Sequence, residues 1–303
     1  MVSDTSKHYP VLLNEIISII TPQHGGTFID CTFGQGGYTK EILKFNKTRV
    51  IALDRDIKSK KKADEIEKRF SNRLLFKNKK FSQLDDLKLK DQKITSVIFD
   101  LGYSFAQIKD QEKGLSFNSD GELNMQMGLN DFSAKDVINK LDVKELEKIF
   151  KYFGEETDAK RIAKNIILHR KKKEIDTECL IKLIDSSKRR KNSKTHNATK
   201  IFQAIRIHVN DELKEIIKGL PIVIERMKPG SRMITLTYHS LEHTLVSRVL
   251  KQKLSAGNIA VELTPNLPQL RRIGRAYRAT QCELQHNPRA RSALLRVWEV
   301  GCV

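Results

Sequence analysis

Cysteine is scarce in these 303 residues: Cys31, Cys179, Cys282 and Cys302 lie far apart, with no C-x-x-C pair among them. That spacing argues against a zinc ribbon and a disulfide framework, and it fits a reducing compartment. No apolar run approaches the ~20 residues that span a bilayer. The opening stretch MVSDTSKHYPVLLNEIISII has no basic region ahead of an apolar core, no cleavage pattern and no arginine-rich character. The expectation is a soluble, cytoplasmic protein with no membrane partner. Acid is the other shortage. Against 56 Lys and Arg stand 37 Asp and Glu, a formal net charge of +19. Small acidic ligands are compatible with that surplus, but a polyanion fits better, because clustered Lys and Arg bind phosphates by releasing counterions.

What remains is ample for a core. The hydrophobic share is 39%, and the length suits one large domain or two ordinary ones. Three short apolar runs bounded by turn signals, TFIDC (27–31), RVIALD (49–54) and TSVIFD (95–100), read as buried parallel strands. Helical stretches, YTKEILKF and KSKKKADEIEKRF, lie between them. This alternation predicts an α/β fold with a doubly wound, mostly parallel sheet. Each strand ends at or beside an aspartate, and the carboxyl ends of strands are where such sheets bind ligands. From about residue 105 to 212 no convincing strand occurs. A loop rich in Gly, Ser, Asn and Met (114–128) is followed by helical segments, including SAKDVINKLDVKELEKIFKYFG and DAKRIAKNIILHRKKK. The expected domains are therefore a discontinuous sheet domain, 1–104 with 213–303, and an inserted helical substrate-recognition domain, 105–212. The sheet resumes with a helix in ELKEIIKGLPIVIERMKPG, a strand in SRMITLTY, a helix in SLEHTLVSRVLKQ and a last strand in ALLRVWEV.

The stretch DCTFGQGG (30–37) places glycines at 34, 36 and 37 just after the first strand. Glycine allows positive φ and lets a ligand approach main-chain amides where a Cβ would collide. Asp54 ends the second strand, near the ~20-residue offset at which a carboxylate meets ribose hydroxyls. A dinucleotide fingerprint would need glycine where Thr39 stands. S-adenosylmethionine has no pyrophosphate to hold, and its sulfonium and ammonium charges suit carboxylates such as Asp30 and Asp100. The methyl donor is the favoured cofactor. At the third strand's end, DLGYSF (100–105) loosely resembles the D-P-P-Y tetrapeptide of amino-group methyltransferases, in which an acid and a carbonyl accept from the target NH₂ and an aromatic ring stacks on the base.

At these residues the chain resembles the bacterial small-subunit ribosomal RNA cytosine-N4 methyltransferases, the MraW or RsmH family. The likeness is carried by HYPVLLNEII (8–17), DCTFGQGGYTKEIL (30–43), ALDRD (52–56), FDLGYS (99–104) and KGLSFNSDGELNMQM (113–127). It continues through YFGEE (152–156), RIAKNI (161–166), HNATKIFQAIRIHVNDEL (196–213), TYHSLEH (237–243) and NPRARSALLRV (287–297). The resemblance implies a class I, Rossmann-like methyltransferase sheet with a helical insert. It also implies methyl transfer from S-adenosylmethionine to the N4 of a cytosine in the decoding region of 16S ribosomal RNA, with the small ribosomal subunit as partner. Carried over by motif, cofactor contacts fall on Gly36, Gly37, Tyr38, Asp54, Phe81, Asp100 and Gln107, beside Asp30 and Gly34 from the loop itself. Candidate catalytic residues are Asp100, Tyr103 and Ser104. Candidate substrate contacts are Asn124, Gln126, Arg206, His239, Arg289 and Arg291, with pairing to a buried acid as the other reading of Arg206.

The chain departs from the family pattern at several points. Tyr38 stands where the family has His, DLGYSF replaces DLGVSS, GELNMQM replaces GPLDMRM, and HSLEH replaces HSLED. The loss of an acid at Asn124 and a base at Gln126 motivates a second reading, an RNA-binding or ribosome-assembly factor that keeps the fold without turnover. HSLEH also matches an inverted zinc-peptidase motif, but its first histidine follows a strand, so no metal is expected. Basic stretches at 187–200 and 271–291 suit RNA contact, the second interleaving six arginines with Tyr277. Lys160, Arg161 and Lys164 add a positive face to the insert. The oligomeric state, including a homodimer, is left open.

Overall fold

The apolar runs fold as strands because they are buried on both faces. In the computed structural model, residues 9–87, 93–116, 122–189, 196–251 and 267–301 are described. Strands β1 (Gly26–Asp30), β2 (Thr48–Asp54), β3 (Leu74–Asn78), β4 (Ile94–Asp100) and β5 (Arg232–Thr237) pair in parallel. Two antiparallel strands, β6 (Leu270–Tyr277) and β7 (Leu294–Val300), complete a seven-stranded sheet in the order β3-β2-β1-β4-β5-β7-β6. In β2 and β4 the central residues are all buried, as expected where helices cover both faces of a parallel sheet. The flanking helices are α1 (Leu13–Ile20), α2 (Gly37–Leu43) and α3 (Ser59–Arg69). The register aligns Asp30 with Ala52 and Ile98, and Asp100 with Leu236, so the aspartates gather at the carboxyl ends of neighbouring parallel strands.

The chain divides into two compact units. One comprises Met1–Gly102 with Leu213–Val303, and the other comprises Tyr103–Glu212. The first has a core of sheet and helix residues such as Phe28, Ile42, Ile98, Ile234 and Val297. The second is helical: α4 (Phe105–Lys109), α5 (Ala134–Lys140), α6 (Val143–Tyr152), α7 (Ala159–Arg170), α8 (Thr177–Ser187) and α9 (Thr199–Val209). Its own core is built from residues such as Ile138, Phe150, Ile162, Leu180 and Ile205. The stretch 133–154 forms two helices, because Leu141 leaves helical geometry and Asp142 starts α6 by accepting the Glu145 N–H in a capping box. Helix α10 (Glu212–Glu225) runs through Pro221 and returns the chain to β5, and α11 (Ser240–Leu250) follows that strand.

Strand β6 is a feature the sequence did not announce. Residues 271–291, read as a basic stretch, contain this strand, a short helix α12 (Gln281–His286) and a 3-10 turn at Pro288–Ser292. The basic segment 187–200 is described only at its ends, and its residues 190–195 lie outside the described residues, as do residues 117–121 of the Met-rich loop.

Candidate active site

The glycine loop is shaped from below by the two aspartates around it. Asp30 is wholly buried. Its Oδ1 accepts the Thr32 N–H at 3.3 Å and its Oδ2 accepts the Thr39 hydroxyl at 2.7 Å. Burial pushes its pKa up to about 7. Asp30 was expected to touch the cofactor; instead its carboxyl group ties the loop to the first turn of α2. Thr39, notable in the sequence only for not being glycine, supplies the other end of that tie. Asp54 plays a related part from β2. Its Oδ2 accepts the Gly34 N–H at 2.6 Å and its Oδ1 the Asp56 N–H at 2.7 Å, and burial raises its pKa. A Ser59 hydrogen bond falls on the same carboxylate, so the Gly34, Asp56 and Ser59 donors leave room for one further donor, and the ribose role expected for Asp54 is compatible with this brace.

Two of the three glycines answer to packing. A Cβ on Gly37 would lie 2.2 Å from Pro10 Cγ, and one on Gly36, whose φ is +71°, would lie 2.5 Å from Ile66 Cδ1 and 2.7 Å from the Phe33 ring. Gly34 also has positive φ, at +55°. The loop is thus a tight, glycine-only path against α3 and the amino-terminal segment.

At the end of β4 the Asp100 carboxylate sits between two tyrosines. Tyr238 donates to Oδ1 at 2.6 Å, and the Tyr38 hydroxyl donates to the Val11 carbonyl at 2.7 Å while lying 3.3 Å from Oδ2. The Asp100 N–H donates to Thr32 Oγ1 at 2.7 Å, which couples this strand end to the glycine loop. Burial raises Asp100 to about 6, with the tyrosine hydrogen bonds pulling the other way. At pH 7 it is mostly an anion, able to accept further hydrogen bonds. Tyr38, expected against the cofactor, has its ring in the core, and its hydroxyl props Asp100. Tyr238 was not singled out from the sequence, although its place directly after β5 puts it beside the end of β4. Phe81 packs edge-on to Phe99, with centroids 5.2 Å apart, and lies over Gly219 of α10, where any Cβ would meet its ring.

His239 is the amino-terminal cap of α11. Its Nδ1 accepts the Glu242 N–H at 3.4 Å and its Nε2 lies 3.2 Å from Glu242 Oε1. This is a structural use of a residue expected on the substrate side. Arg289 and Arg291 are exposed on the 3-10 turn before β7.

In the helical unit, Ser104 caps α4 and Gln107 closes a reciprocal capping box with it. Gln107 Oε1 accepts the Ser104 N–H at 2.9 Å and its Nε2 donates to the Met127 carbonyl at 3.4 Å. Tyr103 is exposed, with the Arg206 guanidinium 4.5 Å from its ring centroid. Arg206 itself, a buried residue, makes a bidentate pair with the half-buried Glu212, at 2.9 and 3.0 Å. It is therefore held by an acid, the second of the two readings its sequence allowed. Asn124 Oδ1 accepts the Gln126 N–H and Gln126 Nε2 donates to the Phe132 carbonyl, both at 3.1 Å, so each stabilises its own loop through main-chain groups. The residue that fastens this loop is Asn210, fully buried at the end of α9. It donates to the carbonyls of Met125 and Arg206 and accepts from Met127 N–H and Asn130. Nothing in its sequence neighbourhood marks it as more than a helix-ending Asn.

Residues 5–300 match the description "MraW methylase family". The chain belongs to that family. It is 37% identical over 294 residues to the Ribosomal RNA small subunit methyltransferase H of Ehrlichia canis, covering 95% of this chain and 98% of that protein. It is 38% identical over 301 residues to the protein of the same name in Bartonella quintana, covering 96% and 89%. Among solved structures, a Streptococcus mutans protein described as a putative methyltransferase in complex with SAH aligns at 12% identity with a TM-score of 0.45, covering 95% and 97%. The sheet described above is that of a Rossmann-like class I methyltransferase, and S-adenosylmethionine is its methyl donor. The residues present suit that group. Asp54 and Asp100 bring partly exposed carboxylates to the ends of β2 and β4, as a cationic donor with a ribose requires.

Proposed function

We propose that this protein transfers the methyl group of S-adenosylmethionine to the N4 amino group of a cytosine in the decoding region of 16S ribosomal RNA, in the cytoplasm. Family membership across residues 5–300 and relatives named as small-subunit ribosomal RNA methyltransferases support the substrate class. The motif resemblance supports the cytosine amine. No helix among the described residues is long and apolar enough to cross a membrane.

The observation that carries the chemistry is Asp100, an anionic acceptor at the carboxyl end of the central strand, held by the Tyr238 hydroxyl and joined to the glycine loop through Thr32. An exocyclic amine is a poor nucleophile because its lone pair is delocalised into the ring. An acceptor that draws on its N–H favours a more tetrahedral nitrogen, and fixed alignment of the reacting groups provides much of the remaining acceleration. Bound S-adenosylmethionine supplies an electrophilic methyl group on a sulfonium. Asp100 and the main chain after it orient the amine.

The alternative, a factor without turnover, was motivated by Asn124 and Gln126. Their hydrogen bonds, with those of Asn210, hold residues 124–127 in place without an acid–base pair, so the enzyme reading is preferred. Incubation with labelled methyl donor and small ribosomal subunits tests it. Label on the small-subunit RNA that is lost in Asp100→Ala supports the enzyme; binding of subunits without label supports the factor.

A further inference from the structure

One face of the antiparallel end of the sheet collects positive charge with no carboxylate paired to it among the described residues. Trp298 on β7 lies opposite Arg272 on β6 and opposite Met233 on β5. Directly opposed residues share a face, as do residues two apart on a strand. Arg272, Arg296 and Trp298 are therefore on one side, together with Thr235 and Thr237. Glu299 is on the other, where it binds Arg271 at 2.8 Å and Arg232 at 3.3 Å.

Helix α11 brings an imidazole to the arginine side. His243 Nδ1 hydrogen-bonds Thr237 Oγ1, and Arg296 Nη1 donates to the His243 carbonyl at 3.2 Å. Arg278 follows Tyr277, the ladder partner of Leu295, and is exposed. Burial first, and then the charges of Arg296, His239 and Arg278 against the opposing pull of Glu242, hold His243 below its ordinary value. Burial and Arg272 do the same to Arg296. The acid in this neighbourhood, Glu242, is buried and engaged by the Tyr238 N–H at 2.7 Å and by His239. Among the described residues no carboxylate is in ion-pair reach of Arg272, Arg278 or Arg296. A surface that crowds cations without a carboxylate beside them is completed by an anion.

We propose that Arg272, Arg278, Arg296 and His243 form a site for a phosphodiester of the RNA backbone. The inference takes its ligand from the ribosomal RNA reading above and adds where the chain grips it. His243 stands where the family motif has an acid, and an acid there would neutralise the arginines from within.

The test is fluorescence anisotropy of a labelled single-stranded fragment of decoding-region RNA, measured across a salt series with the full-length protein. Arg272→Ala with Arg278→Ala is expected to raise Kd about tenfold or more and to flatten the salt slope by ~1.4, at ~0.7 per lost phosphate contact. His243→Asp is expected to weaken RNA in the same direction, and Arg271→Ala, on the opposite face, much less. Calorimetry with S-adenosylmethionine, unchanged in all three, shows that the variants are folded. Parental Kd and slope in the double variant overturn the site. Heat with inorganic phosphate in the wild type, coupled with RNA binding indifferent to these residues, overturns the RNA assignment. Wild-type protein that binds RNA with the full slope, loses it in the double variant and still transfers no methyl group supports the site and removes the proposed function instead.

Discussion

The Tyr238 hydroxyl donates a 2.6 Å hydrogen bond to Asp100 Oδ1. That bond lowers a pKa that burial has raised to about 6. Removing it in Tyr238→Phe sends the carboxyl higher, because the anion loses a donor. Methyl transfer needs the anion as an acceptor, so the acid limb of the wild-type rate profile should fall near pH 6 and move towards pH 7 in the variant. Rates measured from pH 5 to 8 decide this. An unmoved limb would show that Asp100 does not govern the step. Asp100→Ala should lose ~10²-fold or more at every pH.

Asp30 controls stability in the opposite sense to an ordinary surface acid. Its folded pKa, about 7, lies above the normal carboxylate range, so the folded chain holds a proton that the unfolded chain releases. The stability this confers is complete below about pH 4 and is lost as pH rises to about 7, at up to ~1.4 kcal/mol per pH unit. Asp30→Asn carries no such charge. Thermal unfolding of the wild type should weaken from pH 5 to 8 more than that of Asp30→Asn.

Gly36→Ala and Gly37→Ala should lower stability by about 1–3 kcal/mol in the absence of any ligand, through overpacking against Ile66, Phe33 and Pro10. Denaturant unfolding measures the loss. A variant of normal stability that fails to bind S-adenosylmethionine would return these glycines to a purely ligand-facing role.

Breaking the Arg206–Glu212 pair by Arg206→Ala leaves a half-buried carboxylate alone and should cost about 3 kcal/mol, the low end for such pairs. The double variant Arg206→Ala, Glu212→Ala should be less impaired than Arg206→Ala. Arg206→Lys should not restore the wild type, because a lysine cannot reproduce the bidentate fork or its placement over Tyr103. Urea unfolding of the set provides the comparison.

The parallel strands were legible because burial on both faces writes them as unbroken apolar runs. The acids at their ends could be read by position, though their partners could not. Whether Asp30 faces a ligand or Thr39 depends on how α2 folds back on β1, which no periodicity encodes. Glycines 36 and 37 looked like ligand positions because the atoms that exclude a Cβ belong to Pro10 and Ile66, distant in the chain. Arg206 and Glu212 are six positions apart on successive helices, so the sequence offered the pair without its geometry. Strand β6 was hidden because arginine dominates it and only pairing with β7 makes it extended. Asn210 was invisible since its hydrogen bonds to Met125, Met127 and Asn130 reach back to a loop some 80 positions earlier.

Strand β6 also ends the described sheet, leaving one row of peptide groups without a neighbouring strand. Its side chains Arg271, Arg272 and Arg275 are exposed, and a register shift after Ile273 with positive φ at Gly274 breaks its regular spacing. Another molecule's border would meet like charge and a mismatched ladder there. The same arginines that favour a polyanion therefore guard the protein against self-templated fibre growth while it is being made.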